Sequence, residues 1–286
     1  MSGKVSPMAG RAFRSVVPDD GQEPPHIDTT VAQQARVYDY WLGGKDNFAA
    51  DRQLAEEAMR VSPSVVAVAR ANREFLRRVV RYLAAEAGIR QFLDIGTGIP
   101  AAGSTHEVAQ RVVPDARIVY VDNDPIVLSH ARALLTSSGE SVVGYLDADA
   151  RDPDTILARA AETLDLGQPV AVLLLAILQV LDEPFAVTSA LMKGVPAGSY
   201  LAVSVPASDM QAEAQAVLAR TLTEGTPGVT VTFRSHAEVT RLFDGLELVA
   251  PGVVPVDRWR PGPTSPGVRH GLPAYAAVGR RNLTSR

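Results

Sequence analysis

An acid and two glycines follow an apolar run in "QFLDIGTGIP" at residues 91–100. Gly96 and Gly98 permit backbone angles and a close approach that a Cβ would block. A helix after such a turn presents free backbone N–H groups to whatever lies on it. The turn could therefore hold a dinucleotide, a phosphate, or the amino-acid end of S-adenosylmethionine.

Neighbouring positions favour one of these ligands. Gly96-x-Gly98-x-x-Ala101 fits the dinucleotide pattern, which is weak on its own. Asp94, however, stands where nicotinamide-binding turns usually carry an apolar residue, and an acid there suits a ligand with an ammonium group. Pro100 removes a backbone donor, which makes a pyrophosphate a poorer fit. An ordinary strand-to-helix turn without a ligand is the remaining alternative.

Two more acids follow the next two predicted strands. Asp122 ends "VYVD", where a carboxylate can accept both ribose hydroxyls of an adenosine ligand. Nicotinamide enzymes use the same device, so this position alone does not separate the two cofactors. In "YLDADARDP", Asp149 could accept from an adenine amino group while the Ala150 N–H faces a ring nitrogen, or the acids of this loop could be simple caps. Acids after three successive strands fit S-adenosylmethionine better than a dinucleotide.

The segment "RVYDYWLGGKDNF" is a candidate lid. Its aromatic side chains could face a sulfonium by cation–π contact, or could simply pack a helical cap against the sheet. Its glycine pair would let it bend, and its Lys and Asn could reach the carboxylate of a cofactor or an anionic acceptor. The lid residues so identified are Tyr38, Tyr40, Trp41, Lys45, Asn47 and Phe48; Arg36, Asn72 and Arg73 are further candidates for the cleft, and His106 for a base or a helix cap.

The elements that must position these residues alternate along the chain. The pattern predicts strands at 91–96, 116–122, 141–147, 169–178 and 199–206, with helices at 101–113, 125–135, 153–164, 184–192 and 209–222. Such alternation implies a parallel sheet wound on both sides. Two later strands with no helix between them suggest an antiparallel pair at one edge. The predicted division is a disordered tail at 1–27, a helical cap or lid at 28–88, and a cofactor-binding α/β domain at 89–286.

Bulk composition excludes several classes of protein. The 286 residues carry a net charge of −4, which argues against a nucleic-acid-binding surface. There is no Cys, and the five His are scattered, so a metal site is not expected. The longest apolar run, residues 170–178, is too short to cross a membrane, and no secretory signal is apparent. A cytoplasmic protein is predicted; its oligomeric state cannot be inferred from the sequence.

Four blocks of the sequence resemble a known family. They are residues 35–52, 69–100, 106–128 and 243–261, and they include "LGGKDNF", "DIGTGIP" and "VYVDNDP". The family is the actinobacterial group of S-adenosylmethionine-dependent methyltransferases long known as a domain of unknown function. The resemblance implies a Rossmann-like class I methyltransferase fold, with a mostly parallel seven-stranded sheet and an N-terminal helical cap. It also implies cofactor contacts at Gly96, Thr97, Gly98, Asp122, Asn123, Asp149 and Ala150.

The sequence departs from the family pattern after the fourth strand. Relatives tend to carry a His-Phe pair there, whereas this chain has Gln179-Val180. Gln cannot accept a proton at neutral pH, so either no base is needed at this position or turnover is inefficient. The leading hypothesis is methyl transfer from S-adenosylmethionine to a small-molecule acceptor. The alternatives are a non-catalytic protein that binds S-adenosylmethionine or S-adenosylhomocysteine, and an NAD(P)-dependent oxidoreductase.

Overall fold

The computed structural model describes residues 27–127, 129, 143–262 and 271–282. Helices and strands alternate after an all-helical start, as the sequence predicts. In chain order the elements are α1 (Gln34–Leu42), α2 (Ala49–Val61), α3 (Val65–Ala85), β1 (Gln91–Ile95), α4 (Thr105–Gln110), β2 (Arg117–Asp122), β3 (Val143–Asp147), α5 (Pro153–Ala160), β4 (Ala171–Leu175), a 3₁₀ turn (Leu178–Val180), α6 (Pro184–Lys193), β5 (Tyr200–Pro206), α7 (Ala212–Gly225), α8 (His236–Arg241), β6 (Leu246–Leu248), β7 (Val254–Pro255) and β8 (Ala274–Arg281).

One mixed sheet organises the chain. Its order is β3-β2-β1-β4-β5-β8-β6, with β7 also paired to β8, and the first five of these strands are parallel. Strand β8 runs antiparallel to β5, β6 and β7, with which it pairs. The order reverses between β1 and β4, and ligands bind beyond the carboxyl ends of the strands at such a switch point. The acids after β1, β2 and β3 therefore share one edge.

Within the described residues the sheet has eight strands, whereas seven were predicted. The late edge segment pairs with β8 at Leu248↔Gly279 and again at Val254↔Ala276. Between these pairings the chain turns, and the N–H of Gly252 donates to Val249. Pro251 carries no N–H for a ladder, so one predicted strand becomes two short ones.

Several helix boundaries also differ from the prediction. The helix after the glycine turn begins at Thr105, not at residue 101. The sequence reading missed α8, although Ser235 and Glu238 form a capping box at its start. The predicted helix at 125–135 begins at Pro125, and most of it lies outside the described residues.

The alternation of side chains along β1 determines the face of the sheet to which Asp94 points. Phe92 packs in the core that contains α3 and α4, whereas Leu93 and Ile95 pack in the core on the opposite face. Asp94 therefore points to the side of α3 and α4, because successive strand side chains alternate between faces.

The N-terminal helices contact two different parts of the molecule. Trp41, Leu54 and Val65 form a cluster with Leu218 and Leu222 of α7. The second half of α3 packs on the sheet instead. The predicted boundaries at 28 and 88 remain predictions, and the tail at 1–27 lies almost wholly outside the described residues. Among the helices that the structure describes, none is long and apolar enough to cross a membrane.

Candidate functional site

A cavity of about 440 Å³ lies at the carboxyl edge of the sheet and extends between the helices. One end, here called the acidic rim, carries Asp94, Asp122 and Asp149. The other end, called the apolar chamber, is lined by members of the cluster that joins the N-terminal helices to α7. These chamber residues are Trp41, Val65, Ala69, Leu218, Leu222 and Phe233.

The glycine turn is held against the end of β2. The N–H groups of Gly96 and Thr97 donate to the carbonyl of Val121 at 2.8 and 3.3 Å. Gly96 has φ 71°, and a Cβ there would lie 2.6 Å from Ile177 Cγ1. Gly98 has φ 65°, but a Cβ there would meet open space. Both glycines provide left-handed backbone, and only Gly96 is also required by close packing.

Asp94 is buried at the base of the acidic rim. Thr105 Oγ1 donates to its carboxylate at 2.6 Å. Burial raises the pKa of Asp94 to about 6, against the Thr105 hydrogen bond and the positive charge of Arg73. The rim thus places a carboxyl group that titrates near neutral pH close to a fixed cation.

Asp122 ties the glycine turn to the end of β2. Its carboxylate accepts from the N–H of Gly98 at 2.8 Å and from the N–H of Asp124 at 2.9 Å. Burial raises its pKa, while these backbone donors lower it. The helix cap at this point is Asp124, which accepts from the N–H of Ile126 at 2.8 Å. Asp122 therefore orders the turn and still offers unused lone pairs to the cavity.

Asp149 forms the outer part of the acidic rim. Arg151 holds its carboxylate through two side-chain nitrogens, with the shortest contact at 2.8 Å, and the side chain of Asp149 is 40% exposed. Hydrogen bonds from Arg151 lower the pKa of Asp149. Ala150 and Asn123 line the same region. All eight residues predicted to contact a cofactor therefore line one cavity.

Three of the predicted lid and substrate residues also line the cavity: Tyr38, Trp41 and Gln179. The hydroxyl of Tyr38 donates to the carbonyl of Ala69 at 3.0 Å and accepts from Asn72 Nδ2 at 3.0 Å. Trp41 Nε1 donates to the carbonyl of Ala55 at 3.2 Å, which fixes the indole against α2. These aromatic side chains form walls with defined orientations.

The other four predicted lid residues do not line the cavity. Tyr40 turns toward α2 and donates to Glu56 at 3.0 Å. Lys45 is exposed. Asn47 binds Asp39 and the carbonyl of Gly44, and Phe48 packs in a separate cluster under the Arg36 guanidinium.

The glycine pair between these residues is a tight turn. A Cβ on Gly44 would lie 1.9 Å from Asp39 Oδ1, so the side chain of Asp39 fills the space beside the glycine. The same carboxylate accepts from the N–H of Asp46 and from Asn47 Nδ2. The segment that was predicted to bend is therefore tied to α1, and the i, i+3 geometry of α1 directs Tyr38 and Trp41 inward while Tyr40 faces away.

Of the remaining candidate residues, two line the cavity and two do not. Asn72 and Arg73 line the cavity, and Arg73 Nη2 donates to the carbonyl of Ala101 at 3.3 Å. Arg36 is buried elsewhere against Asp51, at 3.3 Å. His106 Nδ1 lies 2.8 Å from the Tyr120 hydroxyl and does not line the cavity.

Sequence reasoning missed the contribution of α7 and of residues 228–233. Gln215 lines the cavity from α7 and is 2% exposed, and Phe233 lines it from the following segment. No local motif marks these residues, because α7 and residues 228–233 come late in the chain and meet the N-terminal helices only in the folded protein. Among the described residues, no three His, Asp or Glu side chains are grouped so that they could hold a metal ion.

Comparison with known proteins assigns the family. The S-adenosyl methyltransferase family matches residues 20–282. A search of curated proteins finds no match. A crystal structure of a DUF574 family protein from Streptomyces avermitilis is 43% identical, with 90% of this chain and 100% of that chain covered and a TM-score of 0.85.

Two further structures show the same fold. A protein from Thermobifida fusca, proposed to be a methyltransferase, is 42% identical, with 90% and 97% of the two chains covered and a TM-score of 0.83. An O-methyltransferase family protein from Burkholderia thailandensis is 15% identical, with 83% and 60% covered and a TM-score of 0.50, and this likeness concerns the fold alone. The predicted class I methyltransferase fold is confirmed, and the nicotinamide alternative is set aside. This chain belongs to the S-adenosyl methyltransferase family and is an S-adenosylmethionine-dependent methyltransferase.

Proposed function

We propose that this methyltransferase transfers its methyl group to a small-molecule acceptor held in the apolar chamber. The observation that supports this most is that residues of the acidic rim and of the chamber line one and the same cavity. A pocket of a few hundred Å³ with mostly apolar walls and a few directed polar groups is typical of small-molecule sites. A cytoplasmic location is part of the same proposal.

We assign the adenosine half of the cofactor to the outer acidic rim. Asp122 has the position and the free lone pairs to accept both ribose hydroxyls, with Asn123 beside it. Asp149 would accept from the adenine amino group, and the N–H of Ala150 would face a ring nitrogen. Because Asp149 already binds Arg151, we expect it to contribute less to cofactor affinity than Asp122 does.

We assign the amino-acid half to the base of the rim. Asp94 suits the ammonium group, and Arg73 suits the carboxylate, so the pair matches a zwitterion. Both side chains line the cavity, and the charge of Arg73 is felt at Asp94. The turn of Gly96, Thr97 and Gly98 allows the backbone to approach this half closely. Arg73 takes the role that the sequence had suggested for Lys45 or Asn47.

The cofactor, when bound, supplies a methyl group on an electrophilic sulfonium. The chain then has to align the acceptor and exclude water, which are major sources of catalysis for a displacement between two bound molecules. Tyr38 and Trp41 are held rigidly by hydrogen bonds and form walls where rim and chamber meet. Among the described residues that line the cavity there is neither a His nor a Lys. Alignment of the acceptor is therefore proposed as the main contribution of the chamber.

Calorimetric titration of the full chain with S-adenosylmethionine and S-adenosylhomocysteine tests the assigned cofactor site. Binding of both, weakened by substitutions at the acidic rim, is the expected result. Transfer of isotopically labelled methyl groups to the low-molecular-mass fraction of a cell extract tests the acceptor class. Label that appears only in macromolecules would contradict the small-molecule proposal.

A further inference from the structure

Two residues that line the cavity carry a buried amide oxygen with no hydrogen-bond partner among the residues that the structure describes. The two oxygens are Oε1 of Gln179 and Oε1 of Gln215. Buried polar atoms are nearly always paired, so each exception calls for an explanation. Two such atoms in one ligand cavity point to a ligand that supplies the missing donors.

The orientation of the Gln179 amide is fixed by its surroundings. Its Nε2 donates to the carbonyl of Ala176 at 2.6 Å. Only the NH₂ end of an amide can donate to a carbonyl, so the oxygen must be the free end. Ala176 is itself held with φ 55° by hydrogen bonds from its N–H to the carbonyl and hydroxyl of Ser204 at 2.9 and 3.1 Å. A non-glycine residue in this conformation needs such support, and here it sets the position of the Gln179 side chain.

Gln179 is also tied to the far wall of the chamber. Its backbone carbonyl accepts from the N–H of Thr232 at 2.8 Å, and its neighbour Val180 packs in the chamber cluster. Gln215 enters the same space from α7, close in sequence to Leu218 and Leu222. The two amides thus lie among apolar side chains, where an unpaired oxygen is most unfavourable.

Three other polar residues that line the cavity are joined in a hydrogen-bonded network. The Ser204 hydroxyl donates to Asn72 Oδ1 at 2.5 Å, Asn72 Nδ2 donates to Tyr38, and Tyr38 donates to Ala69. Within this chain of hydrogen bonds, Ser204 and Tyr38 each commit their single hydroxyl proton, and Asn72 commits its oxygen and one N–H. The network therefore differs from the two Gln oxygens, which have no partner among the described residues.

We propose that Gln179 and Gln215 are the groups that bind the methyl acceptor, and that the acceptor is a mainly apolar, uncharged molecule that donates hydrogen bonds through N–H or O–H. This inference rests on the proposed function, because it takes the chamber as the acceptor site. Apolar walls exclude a strongly charged acceptor, and two acceptor oxygens select donors. The arrangement orients a nucleophile without removing its proton.

Matched fragments test this proposal in the complex with S-adenosylhomocysteine. The pairs are indole with 1-methylindole and phenol with anisole, in which methylation removes the donor and adds one methyl group; the Gln variants described below separate these two effects. Affinity is measured by ligand-observed NMR titration of the full chain. We expect each donor fragment to bind roughly three- to tenfold more tightly than its methylated partner, the value of one hydrogen bond. The two pairs also show whether N–H or O–H is preferred.

The variants Gln215→Leu and Gln179→Leu should each reduce this preference, and the double variant should abolish it. Gln110→Leu, on α4 outside the cavity, should retain it. Unchanged affinity for S-adenosylhomocysteine identifies the variants that are folded, and a Leu substitution that does not fold is replaced by Met at the same position. A preference that persists in the double variant, equal binding within both pairs, or no binding of any fragment would overturn the proposal. Failure of S-adenosylhomocysteine itself to bind would instead count against the proposed cofactor site.

Discussion

The acidic rim and the apolar chamber are two ends of one cavity, and they are built in different ways. Each part of the rim comes from a short stretch at the end of a strand, and backbone N–H groups such as that of Gly98 hold it in place. The chamber is made of side chains from α1, α3, α7 and residues 228–233, which are far apart in sequence. The rim is therefore suited to bind the same cofactor in many proteins of this fold. The chamber, in contrast, can differ from one such protein to another and so can set the choice of acceptor.

Asp122→Ala should have the largest effect on cofactor affinity. It would remove a charge-assisted acceptor for the ribose and release the N–H of Gly98. At roughly 1.5–3 kcal/mol for a hydrogen bond to a charged group, the dissociation constant for S-adenosylmethionine should rise about 10- to 100-fold by calorimetry. Asp147→Asn, at the end of the adjacent strand β3 and outside the cavity lining, is the control and should leave affinity unchanged. An unaltered constant for Asp122→Ala would remove this residue from the site.

Asp94→Asn should come next. The amide keeps the size of the side chain but loses the charge that attracts an ammonium group. We expect S-adenosylmethionine to bind about tenfold more weakly, since one partner of a charged pair is lost while a hydrogen bond can persist. Wild-type affinity in this variant would show that the ammonium lies elsewhere on the rim.

The same residue should make cofactor binding depend on pH. Because burial raises the pKa of Asp94 to about 6, the carboxyl is mostly neutral below that pH and then cannot attract a cation. Affinity should therefore fall by about fivefold between pH 7.5 and pH 5, because the ionised fraction drops about tenfold while the neutral form, like Asp94→Asn, still binds about one tenth as well. The charged and titratable groups that face Asp94 are Arg73 on α3, Asp122 and Tyr120 on β2, and Tyr145 on β3.

Ionisation of Asp94 should lower the stability of the folded protein, although it strengthens cofactor binding. A raised pKa means that the folded state binds the proton more tightly, so ionisation of Asp94 lowers the free energy of unfolding as the pH rises from about 4 to 6. Weaker cofactor binding at low pH would thus not reflect unfolding caused by Asp94. Thermal unfolding by calorimetry across this range should show that the stability of Asp94→Asn depends less on pH than that of the wild type. If both proteins show the same dependence of stability on pH, another group causes it.

Asp149→Ala should have a smaller effect at the outer edge of the rim. This carboxylate is partly exposed and already paired with Arg151, so its bond to an adenine amino group competes with water and with that arginine. We expect a loss of affinity of about two- to fivefold, at the level of a solvent-exposed polar contact. A loss of affinity as large as that of Asp122→Ala would mean that the contribution of a rim carboxylate to cofactor binding does not depend on how deeply it is buried.

Much of the rim was predictable from the sequence. The glycine turn, Asp122 and Asp149 each follow a strand, and the carboxyl ends of parallel strands meet at one edge, so local patterns were enough to bring them together. The strand alternation likewise predicted the sheet, apart from the break at Pro251 that turns one edge strand into two. Arg73 was harder to place, because its role depends on the angle at which α3 crosses the sheet.

The chamber and the lid were less accessible to sequence reasoning. Tyr38 and Tyr40 look alike in sequence, but the turn of α1 sends one into the cavity and the other to Glu56. Lys45 and Asn47 carry attractive chemistry, yet Asp39 holds their loop outside the cavity lining. Gln215 carries no motif at all. Which side chains face a cavity between helices depends on helix rotation and packing, and neither follows from spacing alone.

Gln215→Leu should have the smallest effect on cofactor affinity and a distinctive effect on stability. The buried oxygen of Gln215 has no partner in the part of the chain that the structure describes, so the folded protein bears a desolvation cost that Leu, of similar size, would not have. We therefore expect the free energy of unfolding to stay the same or rise by about 1 kcal/mol, with unchanged binding of S-adenosylhomocysteine. Urea denaturation measures the first quantity and calorimetry the second. A marked loss of stability would mean that Gln215 supports the fold, whereas a gain would fit a side chain retained for its ligand, and the chamber would then differ from the rim in stability as well as in construction.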